Sequence, residues 1–180
     1  VPVSLYQNGN FRTKTYLKKT ENIVLELLNR LNAYKEDKII ICQGYMFDSA
    51  RKALKKYGYN FISGKIEDPL QSLIEETFRN YTLELGVPPQ YVKYTKYPLH
   101  FHRILRWVYA NYQERYKLCK TDWKSWNKYG NLEVKISYDI LYKKNYTCLR
   151  CGKKITPGIK VKVLEYVSNC PNTIYLHDKC

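Results

Sequence analysis

The sequence Cys148-Leu-Arg-Cys151-Gly-Lys and the sequence His177-Asp-Lys-Cys180 each hold two metal-binding side chains that are separated by two residues. A gap of two lets both thiolates of the first pair turn inward from a tight knuckle. The same gap between His177 and Cys180 predicts one turn of a helix. Three sulfurs and one imidazole form closed, tetrahedral zinc sites, in which no position is left open for water. Cys148, Cys151, His177 and Cys180 therefore predict a structural Zn²⁺ site.

The segment between the two pairs predicts the hairpin that brings them together. Residues 159–164 alternate apolar and basic side chains, which is typical of a half-exposed strand. With its Cys-x2-Cys-Gly-Lys knuckle, the turn at Gly158 and the Tyr-Leu-His-x2-Cys ending, the stretch 148–180 resembles a treble-clef-type Cys-Cys-His-Cys finger. It is similar to the first half of LIM domains and to the fingers of poly(ADP-ribose) polymerases. The resemblance implies zinc and a compact module, and such fingers bind DNA, RNA or protein partners.

The cysteine content also indicates the compartment. Six cysteines in 180 residues are too few for a disulfide-stapled scaffold, and no secretory signal opens the chain. We therefore expect an intracellular, cytoplasmic protein. No run approaches 18 apolar residues, so we expect no membrane-spanning helix. Cys170 is an extra thiol close to the second ligand pair.

The positive charge is concentrated in the C-terminal half. The chain carries 31 basic and 16 acidic side chains, a formal net charge of +15. Residues 41–86 are neutral, whereas residues 87–130 carry +7 and residues 141–180 carry +6. Such a field attracts polyanions, and nucleic acid is a common partner of a basic domain with a zinc finger. Abundant Lys, Ile and Tyr with few Met and Gln also suggest a thermophilic source, although acidic residues usually rise in parallel there.

The N-terminal part predicts an α/β fold. Apolar residues at helical spacing predict an amphipathic helix over 16–31, residues 39–42 read as a short buried strand, and helix and strand then alternate as far as Gly86. This pattern predicts a small, predominantly parallel sheet with flanking helices. A further helix is expected from Leu99 to about Cys119.

We expect three parts along the chain. Residues 1–130 would form the α/β domain, in which residues 87–130 are a basic, aromatic-rich helical extension. Residues 131–147 would provide a strand and a linker. Residues 148–180 would form the treble-clef-like zinc finger.

The best candidates for nucleic-acid contacts combine basic and aromatic side chains. Single strands are held by base stacking on aromatic rings together with phosphate contacts. Trp123 and Trp126 supply rings here, although either ring can equally belong to a core. The candidate residues are Lys93, Lys96, Arg103, Arg106, Trp123, Lys124, Trp126, Lys128, Arg150, Lys153, Lys154, Lys160 and Lys162.

Acidic residues of the α/β part leave an enzymatic alternative open. Asp48, Glu67, Asp68 and Glu75 are candidates for a cluster that hydrolyses phosphodiesters through bound cations. Asp48 and Asp68 also suit helix capping, and Glu75 also suits an exposed helical position. We favour a zinc-containing protein that binds DNA or RNA without catalysis. The alternatives are a metal-dependent nuclease and a protein-interaction module whose finger docks a partner.

Overall fold

The structure, a computed structural model, describes residues 1–93, 97–143 and 145–180. By its internal contacts the chain divides into two units. The first unit comprises Val1–Glu75 and Lys120–Trp123, and the second unit comprises Glu76–Cys119 and Lys124–Cys180. The sequence analysis expected boundaries at residues 130 and 147 between parts that fold independently. These boundaries stay a prediction.

The described helices and strands mix both classes of structure. The first unit contains 3-10 helices at Val3–Tyr6, Asn10–Thr13 and Tyr45–Phe47, helices α1 (Thr15–Arg30) and α2 (Asp48–Tyr57), and strands β1 (Ile39–Cys42) and β2 (Phe61–Gly64). Helix α3 (Leu70–Glu84) runs across the division. The second unit contains α4 (Pro89–Val92), α5 (Tyr97–Tyr109), α6 (Tyr112–Arg115), a 3-10 turn at Tyr116–Leu118, α7 (Lys124–Tyr129), and strands β3 (Lys135–Ile140), β4 (Tyr146–Thr147), β5 (Lys154–Ile155), β6 (Lys160–Val167) and β7 (Pro171–His177).

The core of the first unit lies between its two helices and its sheet. Leu28 of α1, Ile41 of β1 and Leu54 of α2 are buried together, which confirms the amphipathic helix expected over 16–31. Complete burial of a leucine side chain such as Leu54 contributes about 1.5–3 kcal/mol of transfer free energy. Gly58 ends α2 in the left-handed region, with φ 76°, as the Tyr57-Gly58 sequence predicts.

The expectation of a predominantly parallel sheet is wrong in its extent. Strands β1 and β2 form a parallel pair, but this sheet has only two strands. The largest sheet has the order β3-β6-β7, and both of its pairings are antiparallel. A strand–helix–strand unit is thus formed once, and no third parallel strand among the described residues continues it after α3.

Helix α3 begins as expected but packs differently. The Asp68 carboxylate accepts a hydrogen bond from the backbone N–H of Ser72 at 3.1 Å, which confirms its capping role. The apolar side chains of this helix are nevertheless exposed. Leu73, Ile74 and Phe78 keep 57%, 52% and 66% of their surface accessible. Apolar periodicity therefore predicted the helix but not the burial of its apolar side.

The long helix expected from Leu99 to Cys119 is broken into shorter pieces. Helix α5 ends at Tyr109, and Asn111 leaves the helical region with φ −152° and ψ 65° before α6 begins. The break frees carbonyl groups at the end of α5. One of them, the carbonyl of Trp107, accepts a hydrogen bond from Arg115 at 2.6 Å.

Strands β6 and β7 of the antiparallel sheet are covered on both faces, whereas most of β3 is exposed. Tyr166 faces α5, where its ring lies 4.5 Å from the ring of Tyr109. Tyr175 lies on the opposite face, and its ring is 4.6 Å from that of Tyr146 in the β4–β5 hairpin. One apolar core consequently joins α5, the sheet and the residues Cys148 and Leu149.

The segment at 120–123 is fixed to the N-terminal residues of the first unit. The Asp122 carboxylate accepts hydrogen bonds from the backbone N–H groups of Gly9 and Phe11, each at 3.0 Å. The backbone N–H of Asp122 donates to the carbonyl of Tyr6 at 3.0 Å. One side chain thus holds two turns of the chain that are distant in sequence.

We expect the Asp122→Ala variant to lower the free energy of unfolding by about 1–3 kcal/mol, because two backbone donors lose a charged acceptor. Asp122→Asn should cost less, since the amide retains one acceptor oxygen. Urea unfolding measures both variants, and Glu133→Ala, which removes an exposed carboxylate, is the control. Equal stabilities of Asp122→Ala and Glu133→Ala would contradict the bracing role.

Candidate metal centre

The first ligand pair lies on the tight turn of the β4–β5 hairpin. The backbone N–H of Cys148 donates to the carbonyl of Lys153 at 2.9 Å, and the N–H of Gly152 donates to the carbonyl of Cys148 at 2.8 Å. Gly152 has φ 75°, a conformation that favours glycine. The Cys-x2-Cys-Gly pattern therefore forms the knuckle that its spacing predicts.

The second ligand pair is placed by a strand rather than by a helix. His177 is the last residue of β7, and a turn follows in which the backbone N–H of Cys180 donates to the carbonyl of His177 at 2.9 Å. The expected helical turn is therefore wrong, although the spacing is correct. A turn with two intervening residues also brings the side chain of Cys180 close to that of His177.

The four predicted ligands form one cluster. The donor atoms of Cys148, Cys151, His177 and Cys180 all lie within 4.8 Å of one another, and no other group of this kind occurs in the described residues. Around a tetrahedral zinc ion, neighbouring sulfur atoms are about 3.8 Å apart, as Zn–S bonds of about 2.3 Å require. The cluster could hold a metal ion, and its donor set is typical of zinc. Cys170 is exposed and lies outside it.

The histidine ring is oriented by a second contact. Its Nδ1 lies 3.3 Å from the Cys151 sulfur, and its Nε2 lies 3.2 Å from the carbonyl oxygen of Lys154. With the proton on Nε2, this nitrogen donates to the carbonyl while Nδ1 offers its lone pair to the cluster. Metal-binding histidines usually have such a partner on the other ring nitrogen.

The surroundings of Cys148 favour its thiolate. Burial raises the pKa of this thiol, but hydrogen bonds from the backbone at Cys151, His177 and Arg150, together with the thiol of Cys151, outweigh burial and lower the pKa to about 7. Burial, and then the neighbouring Cys148 and Cys151 thiols, raise the pKa of Cys180 to about 11. The protein alone thus favours one thiolate, and a cation is needed to hold three together.

Arg115 holds the backbone of the knuckle through hydrogen bonds, and the sequence analysis did not identify this residue. Its Nη1 donates to the carbonyl oxygens of Trp107 at 2.6 Å and Leu149 at 2.8 Å, and its Nη2 donates to that of Arg150 at 3.0 Å. The guanidinium carbon lies 4.1 Å from the centre of the Trp107 ring. Burial, and then the charge of Arg150, lower the pKa of Arg115 to about 10, so it remains a cation at neutral pH. The sequence offered one indication of this role, which is that Arg115 lies in a segment rich in aromatic residues.

All eleven cationic candidates for nucleic-acid contacts belong to the second unit. Seven of them are exposed, three are half-buried, and Lys96 lies outside the described residues. The exposed ones are Lys93, Lys124, Lys128, Arg150, Lys153, Lys154 and Lys160, and the half-buried ones are Arg103, Arg106 and Lys162. Arg106 donates from Nη2 to the carbonyl of Thr173 at 2.7 Å, so this side chain is engaged within the fold.

The two candidate tryptophans are both half-buried and packed. The ring of Trp123 lies 5.9 Å from that of Phe11 in the first unit. The ring of Trp126 packs against Gly130 in the second unit, where a Cβ would lie 2.4 Å from ring atoms. Each ring therefore has a structural partner, and base stacking by either stays a prediction.

The acidic candidates are separated rather than gathered. Asp48 forms an ion pair with Arg51 at the start of α2 and is the first helical residue, so the expectation that it caps this helix is wrong. Glu67 and Glu75 are exposed, as expected for Glu75, and Asp68 caps α3. Within the described ranges, none of the four acidic residues belongs to a group of three or more potential metal ligands.

Comparisons of the chain with family models, with curated proteins and with solved structures found no match. The four-ligand cluster is therefore interpreted from its own chemistry. A separate search of the described helices found none that combines the length and the apolar character needed to cross a membrane.

We expect one zinc ion per chain, lost when Cys151 or Cys180 is replaced by Ser, because three ligands bind far more weakly than four. Elemental analysis of protein purified without added metal measures the content. Cys170→Ser is the matched control and should retain the ion. Loss of metal in this control, with full retention in Cys151→Ser, would contradict the ligand assignment.

We expect Arg115→Met to weaken zinc binding by about 10–100-fold, the range found when a group that orients metal ligands is removed. The variant keeps side-chain length but leaves the carbonyls of Leu149 and Trp107 without their donor. Competition with a chromophoric chelator measures the affinity. Arg103→Met, on α5, is the control, and equal affinities of the two variants would refute the positioning role.

Proposed function

We propose that the chain is a zinc-containing nucleic-acid-binding protein that contacts the phosphate backbone through its second unit. The observation that carries the proposal is the concentration of positive charge in the second unit, which also contains the Cys/His cluster. The second unit holds 18 basic and 7 acidic side chains, a net charge of +11, whereas the first unit holds 13 and 9, a net charge of +4. Polyanions are the partners that such a field favours.

The accessibility of these cations supports the same proposal. In the described part of the second unit, only Lys117 and Lys160 form ion pairs with a carboxylate, at 3.1 and 3.8 Å. Lys153 and Lys154 stand exposed beside the knuckle. Cations without acidic partners are available to phosphate groups, and each phosphate neutralised releases condensed counterions.

The metal centre would serve this function by holding the basic surface in shape. In the proposal the ion is Zn²⁺ and the knuckle with its following hairpin is a treble-clef-type finger. The Cys3His donor set supports zinc, and four protein ligands suit a structural rather than a catalytic site. All six cysteines are free thiols, which supports an intracellular, cytoplasmic location.

A protein-interaction module is the second candidate. The observation that favours it is the apolar side of α3, where Leu70, Phe78 and Tyr81 are 51%, 66% and 55% exposed. Salt dependence separates this candidate from the first, since phosphate binding weakens steeply with salt and an apolar interface does not. The nuclease alternative is tested by Mg²⁺-dependent cleavage of labelled DNA and RNA, with Asp48→Ala as the variant.

We expect the double variant Lys124→Ala, Lys128→Ala to bind DNA and RNA more weakly on nearly any sequence. Both lysines are exposed on α7, four residues apart and hence on one side of the helix. Loss of two phosphate contacts should reduce the slope of log K against log salt by about 1.4–1.8.

The matched control is Lys52→Ala, Lys55→Ala, which removes two exposed lysines from α2 in the first unit. Its affinity and salt slope should stay close to those of the unmodified protein. An unchanged slope in the α7 variant, with lost binding in the α2 variant, would place the binding surface on the first unit and revive the nuclease alternative.

A further inference from the structure

A hollow of about 710 Å³ opens in the second unit between the α5–α6 corner, residues 130–136 and the antiparallel sheet. Known small-molecule sites span roughly 300–1,000 Å³, so this space is large enough for a nucleotide. It is open to solvent and lies apart from the metal cluster, although Arg150 of the knuckle lines it. The hollow has no role in the metal centre or in the packing of the core described above.

One wall of the hollow is apolar. Leu132 and Val134 line it from the segment before β3, and Ile136 and Leu164, which are register partners, line it from the sheet. Ile136 keeps 54% of its surface accessible although it lies on a strand. An exposed isoleucine beside a concave apolar surface offers contact area that the fold itself does not use.

The shape of the hollow is held by two tyrosine hydroxyl groups. Tyr109 donates to the carbonyl of Tyr129 at 2.8 Å and accepts from the backbone N–H of Leu132 at 2.9 Å. Tyr112 donates to the carbonyl of Gly130 at 2.7 Å. These bonds fix the 130–132 segment against α5 and α6. A preformed wall loses little conformational entropy when a ligand binds.

The polar groups at the hollow suit an anion attached to a flat ring. Lys162 is half-buried on β6 and has no carboxylate partner among the described residues. Arg150 supplies a second cation, and its Nη1 donates to the carbonyl of Cys180, so only its remaining N–H groups can meet a phosphate. The amide side chains of Asn111 and Gln113 line the same space and form no hydrogen bond within the described residues, so they remain available to the edge of a base.

We propose that this hollow binds one unpaired nucleotide of a single-stranded nucleic acid, with the base against the apolar wall and its phosphate near Lys162 and Arg150. The inference rests on the proposed nucleic-acid binding and assigns it a substrate class. The lining also contains Glu114, whose carboxylate is paired with Lys117 at 3.1 Å, so Lys162 and Arg150 leave the hollow with an excess of positive charge. Charge complementarity selects the occupant, because an apolar wall beside this excess positive charge matches a base joined to a phosphate. A base in a duplex enters less readily, since its stacking and pairing must first be broken.

The experiment compares short single strands that carry every base with strands of equal length and charge that are abasic. The ratio of the two affinities reports base binding and leaves out the phosphate contacts common to both. For the zinc-loaded full chain we expect a ratio of at least about tenfold, because contact with the apolar wall removes the faces of the base from water. Matched duplexes measure binding that does not require an unpaired base.

Ile136→Glu tests the wall, and Ile140→Glu is its control. Both residues lie on the same face of β3, both are exposed, and both changes add one negative charge, but Ile140 lies outside the hollow. We expect Ile136→Glu to bring the ratio of the two affinities close to one. Ile140→Glu should leave this ratio as it is in the unmodified chain. Ile136→Ser, which adds no charge, should reduce the ratio and serves if the Glu variant unfolds in a thermal melt. Lys162→Met should weaken both kinds of strand.

The possible failures are distinguishable. If the unmodified chain binds neither strands nor duplexes, the proposed function is wrong. If it binds nucleic acid with equal affinity for base-bearing and abasic strands, or if the Ile136 and Ile140 variants keep equal ratios, the hollow takes no base and the proposed function stands.

Discussion

The buried guanidinium of Arg115 is the constraint on which the second unit depends. A buried charge is costly unless polar groups surround it, and here three carbonyl groups and the face of Trp107 replace water. Because two carbonyls belong to the knuckle and one to the end of α5, a single side chain joins them. The backbone geometry of the knuckle is consequently linked to helix α5, which contributes several side chains to the core.

This link would give a metal ion bound at the cluster a wider structural role than it would have in a separate finger. Cys148 is fully buried in the core that also contains Leu105, Tyr109 and Tyr166. A cation that brings three thiolates together therefore stabilises the contacts of α5 and of the sheet along with the knuckle. The net charge of +11 opposes the same compact state by self-repulsion, and a bound polyanion would relieve it.

Sequence reasoning predicted the features that local spacing determines. The Cys/His cluster, the amphipathic helix α1, the position of strand β1 and the alternating strand β6 all follow from patterns within a few residues. The expected burial of β1 is wrong in part, because only Ile41 is buried and Ile40 keeps 52% of its surface accessible. Sequence reasoning was wrong about the continuous helix through Asn111, because the break is compensated by Arg115, whose carbonyl partner at Leu149 is distant in sequence. It was also wrong about the extent of the parallel sheet, since strand pairing is a non-local choice.

Lys162 shows why the candidate binding surface needed the structure. Alternation of apolar and basic residues in β6 predicts that every basic side chain faces solvent, yet Lys160 is exposed whereas Lys162 is half-buried. Both lysines lie on the same face of β6, but Lys162 lies at the hollow beside the α5–α6 corner, whereas Lys160 lies outside it. Periodicity assigns a residue to a face. What covers that face is decided by elements elsewhere in the chain, so the sequence indicates the charge but not the concave site in which it lies.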